Sequence, residues 1–134
     1  MKHIQGQGRF QWNTGGWFGA QIGSTCWMFL LGSGLFFTEK FIAGTLIFTC
    51  FAFPNVFGFL IWKKRDRVKP YPALQVLVSL VGLFALLAML TLDFTGGCDP
   101  FGNSGHFSKS NYAWLLMFPG MMAFFYLMER GSRK

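Results

Sequence analysis

Four stretches of the chain carry no Asp, Glu, Lys or Arg: Trp17 to Phe37, Phe41 to Trp62, Ala73 to Leu92 and Tyr112 to Met128. At 1.5 Å rise per residue the first three reach about 30 Å, the thickness of bilayer hydrocarbon, and the fourth about 25 Å. Apolar runs of this length predict membrane-spanning helices, because lipid gives backbone N–H and C=O groups no partner outside the helix. Tyr112, Trp114 and Tyr126 flank the fourth run and favour a span over a re-entrant segment. Between the runs, Thr38-Glu39-Lys40 reads as a tight turn. Lys63 to Pro72 is a polar link, and Pro72 suits the first turn of a new helix. Thr95 to Asn111 holds Gly96, Gly97, Pro100, Gly102 and Gly105 and reads as a loop. The expected architecture is all-α, an antiparallel four-helix transmembrane bundle forming a single domain over 1–134.

Composition strengthens this picture. Hydrophobic residues make up 52% of the 134 and charged ones 13%, about half the usual charged share. Eighteen Phe and five Trp exceed what one small water-soluble core could bury. The first apolar run continues without a small-residue cleavage site and is expected to stay as an anchor.

Charge sets orientation. The net charge is +7, yet the basic residues sit in short clusters between apolar runs, a distribution unlike a nucleic-acid-binding face. With four spans, the N-terminus (Lys2, Arg9), the second link (Lys63, Lys64, Arg65, Arg67, Lys69) and the tail (Arg130, Arg133, Lys134) share one side. Of the twelve Lys and Arg, only Lys40 and Lys109 lie opposite, which predicts N-in and C-in. A bacterial inner membrane is expected from the short chain and the lack of an N-x-[ST] sequon.

Each apolar run also carries small or polar residues at helical spacing. The first has Gly19 and Gly23 as GxxxG, with Ala20 and Ser24 one position on; the second has Thr45, Thr49, Ala52 and Asn55. The third has Gln75, Ser79 and Gly82, and the fourth Ala113, Gly120 and Ala123. Such faces let membrane helices approach closely, so Gly19, Gly23, Gly82 and Gly120 are expected packing positions. Gln21, Ser24, Asn55 and Gln75 fall in the cytoplasmic half of this topology. Amides are costly in hydrocarbon unless paired, so they are expected to face inward and satisfy one another. Pro54 leaves the carbonyl of Cys50 without its helical partner, and Pro119 does the same for Leu115. Polar groups beside an interrupted helix can line a pore or gate, or can merely bind helices together.

Little catalytic chemistry is on offer. His3 and His106 lie outside the spans, no HExxH, GxSxG or P-loop occurs, and no charged residue stands mid-span. Cys98, Asp99 and His106 share the Gly-rich loop but match no metal-ligand spacing. Cys98 could pair only between chains if its side is oxidising, and Cys26 and Cys50 are small apolar residues within spans. The run Lys63, Lys64, Arg65, Arg67 and Lys69 either contacts anionic lipid or simply fixes topology.

Gly15-Gly16-Trp17-Phe18-Gly19-Ala20 and Asn55-Val56-Phe57-Gly58 resemble the Gly-rich first helix and second-helix Asn of small four-span fluoride channels. The resemblance ends with those two segments. Gly23 stands where those channels carry a basic residue, and Ala73 to Leu92 lacks their interruption of the third helix. The expected function is therefore a non-enzymatic subunit or assembly component of a membrane complex, self-associating or docked on a partner in the lipid bilayer, with no cofactor. The alternative is a small channel or transporter lined by the amides.

Overall fold

The computed structural model describes residues 10–95 and 112–131. All regular structure among them is helical: α1 (Thr14–Phe37), α2 (Phe41–Lys63), α3 (Pro70–Phe94), a 3-10 turn (Ala113–Leu116) and α4 (Met117–Gly131). The first three are long and apolar enough to cross a membrane.

Local chemistry explains where each helix begins and ends. The Asn13 side chain accepts from the amides of Gly15 (3.0 Å) and Gly16 (3.3 Å), so α1 starts before its charge-free run. At its other end, Glu39 N–H donates to the Phe36 carbonyl (3.2 Å) and Lys40 N–H to that of Leu35 (3.0 Å). This left-handed cap puts Glu39 at φ 60°, where glycine is the usual occupant. Helix α3 starts at Pro70, with the ring's fixed φ at the first helical position; the sequence favoured Pro72 for the first turn, and both fall within it. The expected continuous helix from Tyr112 is instead a 3-10 turn followed by a 15-residue α4. Pro119 has no N–H to give the Leu115 carbonyl, and in the first turn of α4 that missing donor costs nothing.

The core is a set of seams spaced by three and four residues. On α1 the buried positions are Trp17, Gln21, Thr25, Met28, Gly32 and Leu35, and on α2 they include Ala43, Gly44, Ile47, Cys50, Pro54 and Gly58. Contacts pair Trp17 with Gly58, Gln21 with Asn55, and Gly32 with Phe48, so partner numbers fall along α2 as they rise along α1. Helix α3 adds Leu77, Val81, Ala85, Ala88 and Leu92, packing mainly on α2 and more lightly on α1; α4 packs on α3. Leu30, Ile42, Phe53 and Val56 are exposed on the outside, a surface suited to hydrocarbon.

Candidate functional site

Gln21 and Asn55 do meet. Buried Gln21 donates through Nε2 to the Asn55 carbonyl (2.6 Å) and to Asn55 Oδ1 (3.3 Å). Asn55 Nδ2 in turn donates to Thr25 Oγ1 (2.9 Å) and to the Phe51 carbonyl (2.7 Å). Thr25 Oγ1 donates to the Gln21 carbonyl (2.9 Å), which joins the three side chains through α1's own backbone. Gly58 makes this possible: a Cβ there would stand 2.5 Å from Gln21 Oε1. That Oε1 is buried and finds no hydrogen-bond donor among the described residues. Below the polar seam, Trp17 Nε1 donates to the Gly58 carbonyl (3.2 Å) and Trp12 Nε1 to that of Val68 (3.2 Å). Trp12, Trp17 and Trp62 pack ring to ring there, with the Trp12 and Trp17 centroids 4.9 Å apart.

The other two expected members lie elsewhere. Ser24, three residues from Gln21 and at the edge of the α1 seam, turns its hydroxyl back to the Gln21 carbonyl (3.1 Å). Gln75 stands on the side of α3 that meets α4, where its Nε2 donates to the Met122 carbonyl (3.1 Å) and to the Tyr71 hydroxyl (3.1 Å). The expected quartet is thus one pair, Gln21 with Asn55, extended by Thr25. Thr25 was readable as the position four residues beyond Gln21 on the same face.

The glycines expected at packing positions divide within the chain. Gly82 does pack, with a Cβ there 3.1 Å from Phe118. At Gly19, Gly23 and Gly120 nothing lies within 4 Å of a Cβ, so they mediate no contact among the described residues. The close approaches are at Gly32, Gly44 and Gly58 on the α1–α2 seam. Between α1, α3 and the start of α4 a groove of about 510 Å³ remains, lined by Gly23, Ser24, Trp27, Met89, Trp114 and Phe118.

The basic link is mostly at the surface, with Lys63 Nζ 6.0 Å from the Phe59 ring centre. Lys63, Lys64, Arg67 and Lys69 are exposed, whereas the Arg65 guanidinium lies 5.1 Å from the Trp62 ring centre, on the tryptophan cluster. No group of three His, Cys, Asp or Glu side chains able to hold a metal occurs among the described residues. Cys98, Asp99, His106 and Arg133 lie outside the described residues.

A second polar site had no counterpart in the sequence reading. Tyr71, Tyr126, Glu129 and Arg130 line a cavity of about 370 Å³ between the start of α3 and the end of α4. Glu129 is only 6% exposed. Nearby, Phe10 packs on both Tyr71 and Phe125 (5.8 and 5.5 Å between ring centres). At the opposite end of α3 the Tyr112 hydroxyl donates to Asp93 (3.1 Å), tying the segment before α4 to α3. The chain matches no known family model, no curated protein and no solved structure.

Proposed function

We propose that this protein is a non-enzymatic subunit or assembly component of a complex in the bacterial inner membrane. It is built as an antiparallel four-helix bundle with both termini in the cytoplasm. The 3-10 turn and α4 together extend about 30 Å, which supports a fourth crossing. The asymmetric placement of Lys and Arg supports the orientation. One observation carries the functional reading: the small faces at Gly19, Gly23 and Gly120 are open, while the amides are consumed by bonds between helices. Small residues in membrane helices permit close backbone approach, and here the approach is unused within the chain.

Sizing in mild detergent tests it. The protein should run as a complex larger than one 15.2 kDa chain, and Gly23→Leu with Gly120→Leu should reduce it to a single chain. A wild-type protein that is a lone chain after the gentlest extraction sinks the reading.

A channel or transporter lined by the amides is favoured by one feature, the buried Gln21 Oε1 without a donor. Flux into liposomes separates the two. The subunit reading expects none, and expects Asn55→Leu to fold and assemble, since interhelical hydrogen bonds in membranes average about 0.6 kcal/mol. Flux abolished by that substitution establishes the channel.

A further inference from the structure

We propose that the link between α2 and α3, with the face of α2 directly below it, holds a net-anionic phospholipid, its head group on the cations and its acyl chains along the helix. The inference takes from the preceding reading only the placement of this chain in a bilayer and needs no partner subunit.

Charge is the first observation. Lys63, Lys64, Arg65, Arg67 and Lys69 share the link with one carboxylate, Asp66. The end of α1 sets Glu39 beside Lys40, and the end of α4 sets Glu129 beside Arg130. Among the described residues, no other helix end carries so large a charge of one sign.

Fixed placement is the second. An orientation signal needs these residues only to be somewhere in the link, whereas the fold gives them set positions. Arg65 N–H donates to the Trp62 carbonyl (3.2 Å) and Arg67 N–H to that of Lys64 (2.9 Å), so the link leaves α2 in closed turns. Three residues apart across such a turn, Lys64 and Arg67 have Cα atoms within about 7 Å, near enough to meet one phosphate together. Both are exposed. The guanidinium can match two phosphate oxygens, and the ammonium adds a point charge. The far end of the link is pinned by the bond from Trp12 Nε1 to the Val68 carbonyl (3.2 Å). Arg65 is turned the other way, with Nη1 donating to the Trp62 carbonyl (3.4 Å) and its guanidinium over the Trp62 ring. Groups held in advance lose little freedom when a ligand arrives.

The third observation is the surface underneath. Helical spacing lines up Leu60, Phe57 and Phe53 below Lys64, and all three are exposed. Lys63 Nζ stands 6.0 Å from the Phe59 ring centre, so its stem lies on this apolar face with the charge at the rim. Trp12, Trp17 and Trp62, packed ring to ring, mark head-group depth. A molecule with an anionic head and apolar chains meets both levels. A soluble anion uses the upper level alone, and a zwitterionic lipid brings an ammonium against the cations.

Native mass spectrometry of the full chain in mild detergent, given equal phosphatidylglycerol and phosphatidylethanolamine, tests the proposal. A micelle has no inside and outside, so the measurement reads binding apart from topology. Both lipids carry a phosphate, and only the second carries an ammonium. Two cations at about fivefold each predict that wild type prefers phosphatidylglycerol by about 25-fold. Lys64→Gln with Arg67→Gln, at exposed positions that folding tolerates, should bring the ratio near one. Taking the same charge from the tail, by Arg133→Gln with Lys134→Gln, should leave the preference in place. Soluble glycerophosphoglycerol, the head group without chains, should not displace the lipid at equal concentration. Equal retention of the two lipids by wild type overturns the proposal, as does a preference that survives the loss of Lys64 and Arg67. An equal fall in the tail variant shows that net charge alone holds the lipid, and displacement by the soluble head group shows a phosphate site; either also overturns it. None of these outcomes bears on the mass of the assembled complex, so failure here and failure of the subunit reading remain distinct.

Discussion

The two sides of α1 carry similar residues and meet different fates. On the seam with α2, glycines of both helices are filled from across it: Gly32 of α1 by the Phe48 ring, and Gly44 and Gly58 of α2 by the Phe36 ring and the Gln21 amide of α1. On the side toward the groove, Gly19 and Gly23 meet nothing within 4 Å. The contrast shows that a small residue in a membrane helix is only a permission. What makes a contact is the bulky or polar group opposite, which the α1–α2 seam supplies and the groove does not.

Substitutions at the two sides should therefore differ in size and in sign. The largest effect is expected at Gly58→Val, which drives a side chain into the Gln21 amide and displaces it from the Asn55 carbonyl. Overpacking costs about 1–3 kcal/mol and the lost hydrogen bond about 1 more. Unfolding by SDS titration should shift to a clearly lower SDS fraction, and an unchanged midpoint would show that the seam has room for a side chain at Gly58. Trp17→Phe should come next, at about 1 kcal/mol, because it strips the donor from the Gly58 carbonyl while keeping most of the ring packing. The smallest change, of opposite sign, is expected for Gly23→Ala in the dissociated chain. Alanine gains up to about 1 kcal/mol in a helix interior and here meets no obstacle. A loss of stability at Gly23 comparable to that at Gly58 would erase the distinction between the two sides.

Much of the helical framework was legible in the sequence, for one physical reason. A residue in hydrocarbon must be apolar whichever neighbour it has, so long uncharged runs mark helices without knowledge of their packing. The seam between α1 and α2 was partly legible, since Gln21 and Asn55 carry polar cost that demands a partner. Its glycines were not, although Gly32 and Gly58 fall within the three-and-four spacing of the buried positions on their helices. Which of two small-residue faces is used depends on what a neighbouring helix presents, and Gln75 accordingly bonds across to Met122 of α4 and not to Gln21 or Asn55. Glu129 was hidden differently. It is only 6% exposed, and the local pattern of an apolar run ending in Glu129 and Arg130 does not announce that burial.

The left-handed cap at Glu39 has a consequence for the order in which the protein is made. Three residues join α1 to α2, and the cap closes on backbone bonds formed within the last turn of α1 and the turn itself, so joining the two helices adds little loop-closure entropy. Chains acquire structure from the N-terminus as they are synthesised. Trp17, Gln21 and Thr25 each have a hydrogen-bond partner on α2, so the first two helices can satisfy their costliest polar groups on each other before α3 has emerged. Translation then adds α3 and α4 to a pair already in register, and a nascent chain held at the end of the basic link should already protect the Trp17 indole from quenchers in water.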